Sequence, residues 1–195
     1  MGFANMDRFR YRVKHQKMAP FHLISQLDLS RLWSRAFRRA ELPVAYSQGF
    51  NPRPLLSFGP ALPLGVESRA EYWDVSLSRE LSPQELLDAL NKEVFSELKI
   101  EEVNPIPLSF PSINQSIKGV RYSYYFSPSV KKIASPLLTE EGIEKEKEEM
   151  VGEFLVVLFL FKKEKILYSA GEWAKVLEEK WSEDPARIVK EEVLW

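Results

Sequence analysis

The sequence predicts an α+β fold of two ferredoxin-like halves, each an antiparallel sheet with helices on one face. Three observations lead there. Over residues 7–104, short period-two stretches and two amphipathic helical stretches follow in the order β-α-β-β-α-β. Residues 105–119 are rich in Pro and Ser and lack periodicity, so they read as a linker. Residues 120–195 then return the same order more faintly, as element order and not as repeated sequence. A chain of 195 residues has room for one domain or two small ones, at roughly 100–200 residues per domain. Its 45% apolar content is that of a globular protein.

The first half justifies its elements in turn. Arg8-Phe9-Arg10-Tyr11-Arg12-Val13-Lys14 alternates basic and apolar residues, the pattern of a half-buried strand with a basic face. Ser25 and Asp28 then mark a helix start: the serine caps, and the acid sits in the first turn. Leu29, Leu32, Trp33, Ala36, Phe37 and Ala40 follow at helical spacing as one apolar stripe, and Leu42-Pro43 stops the helix. The opposite face carries Arg31, Arg35, Arg38 and Arg39, which fall within about 100° of one another around the axis. Residues 45–54 form a loop, because Gly49, Asn51, Pro52 and Pro54 crowd into it. Leu55 to Phe58 is a short apolar piece broken by Gly59-Pro60. Tyr72 to Leu77 is a strand with Trp73, Val75 and Leu77 inward. Ser82-Pro83-Gln84-Glu85 is a capping box with Pro at the first position. Leu86, Leu87, Leu90 and Val94 are that helix's buried side, and Leu98 to Val103 is the next strand.

In the second half, Arg121 to Phe126 reads as a strand. Thr139 to Met150, charged and Glu-rich, reads as a helix. Phe154 to Phe161 reads as a central strand, with Lys165 to Tyr168 its hairpin partner. Ser169 to Glu172 has capping-box form, and Trp173, Leu177 and Trp181 align on one helical face. Arg187 to Trp195 closes as a strand.

Composition excludes several chemistries. There is no cysteine, so disulfides, thiolate zinc, iron–sulfur clusters and a cysteine nucleophile are out. His15 and His22 are the only histidines, too few for an all-histidine metal site. No cofactor or metal is expected. The first six residues do not read as a secretory signal or a myristoylation site. The longest apolar run has eight residues, against about 20 for a membrane-spanning helix. The expectation is therefore a soluble, cytoplasmic protein with no membrane contact. Charge is divided: residues 1–65 hold ten Lys/Arg against three Asp/Glu, +7, and the remainder 17 against 25, −8. A basic front half points to a polyanion or an acidic partner.

Three stretches carry a resemblance: Phe21 to Leu29, Arg38 to Pro52, and Leu56 to Ser68. Their residues Ser25, Leu27, Asp28, Ser47, Pro52, Gly59, Gly65 and Ser68 resemble the motif of the radical SAM-associated (radical-SAM-linked) family, a bacterial domain of unknown function. The resemblance implies a radical SAM protein as partner, with a ribonuclease of the E/G type and ribosomal proteins as frequent gene neighbours. Gln26 and Arg53 stand where the motif commonly has histidines, so a role built on those histidines does not carry over. The chain cannot itself be the radical enzyme, which needs three cysteines for its cluster.

The candidate site is the loop and the basic helix face. Tyr46 and Phe50 suit stacking on a base, Arg53 suits a phosphate, and Gly49 and Asn51 shape the turn. The competing reading puts Phe50 in the core. Arg31, Arg35, Arg38 and Arg39 complete a phosphate-binding stripe, or else a solvated face. His15 and His22 are expected at the surface or at a helix start rather than in catalysis. Ser25, Asp28 and His22 fit a helix cap better than a triad. Glu67, Glu71 and Asp74 are a weak Mg²⁺ set. The expected function is a non-catalytic accessory protein, acting with a radical SAM protein and reaching RNA or a ribosome-linked target. A metal-independent RNA-processing enzyme and a structural adaptor are the alternatives.

Overall fold

The computed structural model describes residues 8–127, 129, 142–163, 172, 175 and 185–195. It is an α+β protein with eight strands among those residues, most of them antiparallel to their neighbours. Two compact units share the chain. Unit 1 is Met1–Lys17, Ile24–Gly59 and Glu71–Gln115; unit 2 is Met18–Leu23, Pro60–Ala70 and Ser116–Trp195.

Unit 1 contains strand β1 (Phe9–Lys17), helix α1 (Gln26–Arg39) and β2 (Leu56–Phe58). It also holds most of β3 (Glu67–Leu77), then α2 (Pro83–Asn91), β4 (Ile100–Ile106) and a short helix, α3 (Ile113–Ser116). The strands are hydrogen-bonded in the order β4-β1-β3-β2, with β1 antiparallel to β4 and β2 antiparallel to β3. The sequence signals act locally here. The Ser25 hydroxyl accepts from the Asp28 N–H and starts α1. Ala40 caps the other end, and Glu41 turns the chain at φ 52°. The Leu42 N–H then reaches the Phe37 carbonyl and the Glu41 N–H that of Arg38, the two bonds of a Schellman turn. Of the expected stripe, Leu29, Trp33, Ala36 and Phe37 are buried. They meet Trp73 of β3: the Trp33 and Trp73 rings lie 5.2 Å apart and Phe37 stands edge-on to Trp73 at 5.4 Å. The capping box of α2 is complete, and Leu86 and Leu90 form its buried side.

The basic residues expected on the first strand are paired: Arg10 and Arg12 with Asp74, and Lys14 with Glu101. Two other expectations fail in this unit. His15 is a core residue, 4.9 Å edge-on from Trp33, with Nδ1 2.8 Å from the Gln16 carbonyl oxygen. Residues 105–119 are also more built than a linker. β4 runs to Ile106, and Ile113 and Ile117 are buried.

Unit 2 takes the first four residues of β3 and adds β5 (Gly119–Phe126), β6 (Ile143–Val151), β7 (Phe154–Lys162) and β8 (Arg187–Leu194). Glu67 and Ser68 pair parallel with Val189 and Lys190 of β8. The order continues β8-β5-β7-β6, every pair antiparallel. The apolar run is the central strand β7, paired on both sides. Aromatic pairs tie it to β5: Tyr122 and Phe161 at 5.2 Å, Tyr124 and Phe159 at 5.4 Å, both edge-to-face.

The Glu-rich stretch expected as a helix is a strand from Ile143 onward. Helix propensity is a weak preference, and pairing with β7 overrides it. Among the described residues β6 ends the strand order and pairs only with β7. Its charges are matched within the unit by Arg121–Glu146, Lys145–Glu148, Lys147–Glu149 and Lys162–Glu144 pairs. A charged edge discourages further strand addition. The expected hairpin partner Lys165 to Tyr168, most of the Ser169 to Glu172 cap, and the Trp173, Leu177, Trp181 face lie outside the described residues, as does the start of the chain.

Candidate functional site

All four helix arginines are exposed, but they are not equivalent. Arg31 Nη1 bonds Asp28 Oδ1 at 3.1 Å, one turn earlier. Bonds from Ser25, then Arg31, hold the Asp28 carboxyl below its ordinary value. Arg39 is anchored by Glu93, through Nε to Oε2 at 2.8 Å and Nη2 to the main-chain oxygen at 2.5 Å. Arg35 and Arg38 have no hydrogen bond or ion pair among the described residues. One turn of helix apart, they share a face. Their guanidinium groups are the ones on α1 left with all donors open to a ligand.

The loop after α1 is ordered from its base upward. At the base Val44 bridges Leu77, and the Ala45 N–H bonds the Ser76 carbonyl. Next, Leu55 N–H bonds the Ala45 carbonyl, and Tyr46 bridges Pro54. Then the Ser47 N–H bonds the Arg53 carbonyl at 2.8 Å, while the Ser47 hydroxyl accepts from the Arg53 N–H at 3.0 Å. Ser47 thus closes the neck by itself. Only Gln48 to Pro52 lie beyond it, and all five are exposed. Gly49 turns the tip at φ 131°, a conformation side chains oppose. Phe50 is fully exposed at that tip, which excludes the core reading of this residue. Tyr46 is half exposed, and Asn51, Pro52 and Arg53 are exposed. The Arg53 side chain has no partner among the described residues.

The motif residues divide by duty. Ser25 caps a helix and Ser47 closes the loop. A Cβ on Gly59 would stand 3.2 Å from Ile113 Cγ2 and 3.3 Å from the Tyr72 carbonyl oxygen. Gly65 has φ 84° and donates its N–H to the His22 carbonyl. Ser68 is buried and accepts from the Ala70 N–H. Leu27 and Pro52 are exposed.

The carboxylates raised as a Mg²⁺ set have other partners. Glu67 accepts from Arg187 at 2.6 and 3.2 Å. Asp74 accepts from Arg10 and Arg12, and Glu71 faces the charge of Lys17. Among the described residues no three His, Asp or Glu side chains gather as metal ligands. Sequence reasoning missed the buried cations. Lys17 Nζ donates to the Ile24 carbonyl at 2.9 Å, and burial pushes its pKa down. The only advance sign was the alternation of residues 8–14 continued to position 17.

The fold and site define an α+β protein in which α1 and its following loop bring three open guanidinium groups and a fully exposed phenylalanine into one stretch of chain. The chain belongs to a family of uncharacterized proteins conserved in bacteria, DUF2344, whose model matches residues 10–166. That span includes the whole of α1 and the loop. No curated protein matches the chain.

Proposed function

We infer that this chain is a non-catalytic accessory protein that binds a polyanion, RNA first among them, on α1 and the 46–54 loop. The observation that carries this is the trio Arg35, Arg38 and Arg53, exposed and without a counter-charge, in a front segment of net charge +7. Guanidinium groups left open in this way match phosphate oxygens in shape and sign. The reading keeps Arg31 and Arg39 as supporting charges, since Asp28 and Glu93 already hold them. It also includes a ferredoxin-like first half, supported by the element order β1-α1-β2-β3-α2-β4 and the strand order β4-β1-β3-β2. A radical SAM partner belongs to the same reading and rests on the motif resemblance alone; a cytoplasmic setting belongs to it too and rests on the composition and the start of the sequence. No helix among the described residues is long and apolar enough to cross a membrane.

The test is binding of cellular RNA to the full chain across a salt series, beside an Arg35→Glu, Arg38→Glu, Arg53→Glu variant. Wild type should bind, with log affinity falling by about 0.7–0.9 per phosphate contact for each log unit of salt. The variant should lose most of the affinity and most of the slope. Equal binding by both proteins sinks the reading. RNA cleaved by the chain alone turns it to the enzymatic alternative.

A further inference from the structure

We propose that the 46–54 loop reads unpaired nucleotides: Phe50 is the platform on which one exposed base stacks, so the ligand is single-stranded RNA and not a duplex. This deepens the polyanion-binding reading and rests on it. A phenylalanine wholly in water at a loop tip gains nothing for the fold. The loop beneath it is nonetheless fixed, by the Tyr46–Pro54 bridge and both Ser47–Arg53 bonds. The neck is therefore closed before binding, and ordering on binding is confined to the five-residue tip.

Its surroundings choose the occupant. Among the tip residues Gln48, Gly49, Asn51 and Pro52, only the small Pro52 ring adds apolar surface beside it. A protein hot spot sits in a desolvated patch, and membrane insertion needs more apolar area than one ring. A nucleobase needs one π face, polar groups at its edges and a cation for the adjoining phosphate. Phe50, Asn51 with Gln48, and Arg53 supply these in turn. A paired base is already stacked on its neighbours and offers no free face. Duplex RNA therefore meets only the arginines.

The experiment uses the full chain and an oligouridylate of about 12 nucleotides, whose bases stack little on one another, within the usual single-strand site size. A central 2-aminopurine reports stacking through its emission, and the same strand is also annealed to its complement. Wild type should bind the single strand about tenfold or more tightly than the duplex, the worth of one stacked base. The emission should fall on binding. Phe50→Ala should remove the preference and the emission change, and Phe50→Trp should keep both. Leu108→Ala, which trims another exposed apolar side chain, should change neither. Arg35→Glu with Arg38→Glu should weaken both ligands. If single strand and duplex bind alike and Phe50→Ala has no effect, the base-reading proposal is overturned while polyanion binding stands. If neither RNA binds, both fall. If the ring is needed only for anionic phosphatidylglycerol vesicles, the occupant is a membrane and the proposal is overturned.

Discussion

Asp74 is where unit 1 concentrates its buried charge. Its Oδ2 accepts from Arg10 at 2.6 Å, and its Oδ1 accepts from Arg12 Nε at 2.8 Å. Arg10 Nη1 also reaches the Phe110 carbonyl at 2.6 Å, and Arg12 Nη2 that of Pro111 at 3.2 Å. Arg12 also lies 5.3 Å from the centre of the Phe110 ring. One carboxylate serves two guanidinium groups, so removing it takes the printed ion-pair partner from both cations. Asp74→Ala should therefore cost about 3–5 kcal/mol. Replacing all three residues by Met, Met and Leu should cost far less, because nothing charged is left buried. Urea unfolding of both variants checks this, and an Asp74→Ala midpoint equal to the parent's would contradict it. The sequence showed half of the arrangement. Alternation placed Arg10 and Arg12 on one face of a strand. A period of two cannot say what that face meets, and the partner is more than sixty residues away. Phe50 was undecidable for the same reason: a lone aromatic in a loop has no periodicity to report its burial.

At the scale of elements, what was legible was what is local. The α2 cap needs only residues three apart, and it forms as the sequence requires. Ser82 Oγ accepts from the Glu85 N–H at 3.2 Å, and Glu85 Oε2 accepts from the Ser82 N–H at 2.8 Å. Hydrogen bonding from the Ser82 side chain first, and then from its backbone N–H, holds the Glu85 carboxyl below its ordinary value. The folded state thus binds fewer protons than the unfolded state near that value. The cap's stabilisation is complete above the unfolded value and is lost as pH falls through the folded one. Ser82→Ala should lower stability by about 1 kcal/mol at pH 7, with a smaller difference from wild type near pH 3. Denaturant titrations at both pH values test it, and a pH-independent difference would exclude the carboxylate's share. β6 was illegible because its decisive interaction is not local. Ile143 to Val151 has helix-favouring composition, yet β7 presents a strand edge that only an extended segment can satisfy.

Over the whole molecule, the two units do not follow one another along the chain. Unit 2 takes 18–23 and 60–70 from the front half, and unit 1 runs on to Gln115. Composition alone made residues 105–119 look like a linker, because Pro and Ser break periodicity whether or not the segment packs. The segment's carbonyls close the Asp74 cluster, and Ile113 is buried beside Gly59. Ile113→Ala in the full chain should then cost about 2–5 kcal/mol, as for a core isoleucine. An exposed linker position stays within about 0.5 kcal/mol. Gly59→Ala should also destabilise, by about 1–3 kcal/mol, since its new methyl group presses on Ile113 and on the Tyr72 carbonyl. The two changes should not add. Shortening Ile113 clears one of the two clashes and leaves room that the methyl group introduced at Gly59 can occupy. The double variant should therefore be more stable than the sum of the singles by about 0.5 kcal/mol or more, the size of coupling between residues in contact. A double-mutant cycle by urea unfolding measures it directly. Strict additivity would mean that the 105–119 segment does not pack on the Gly59 turn, and with it would go the reason this motif position is a glycine.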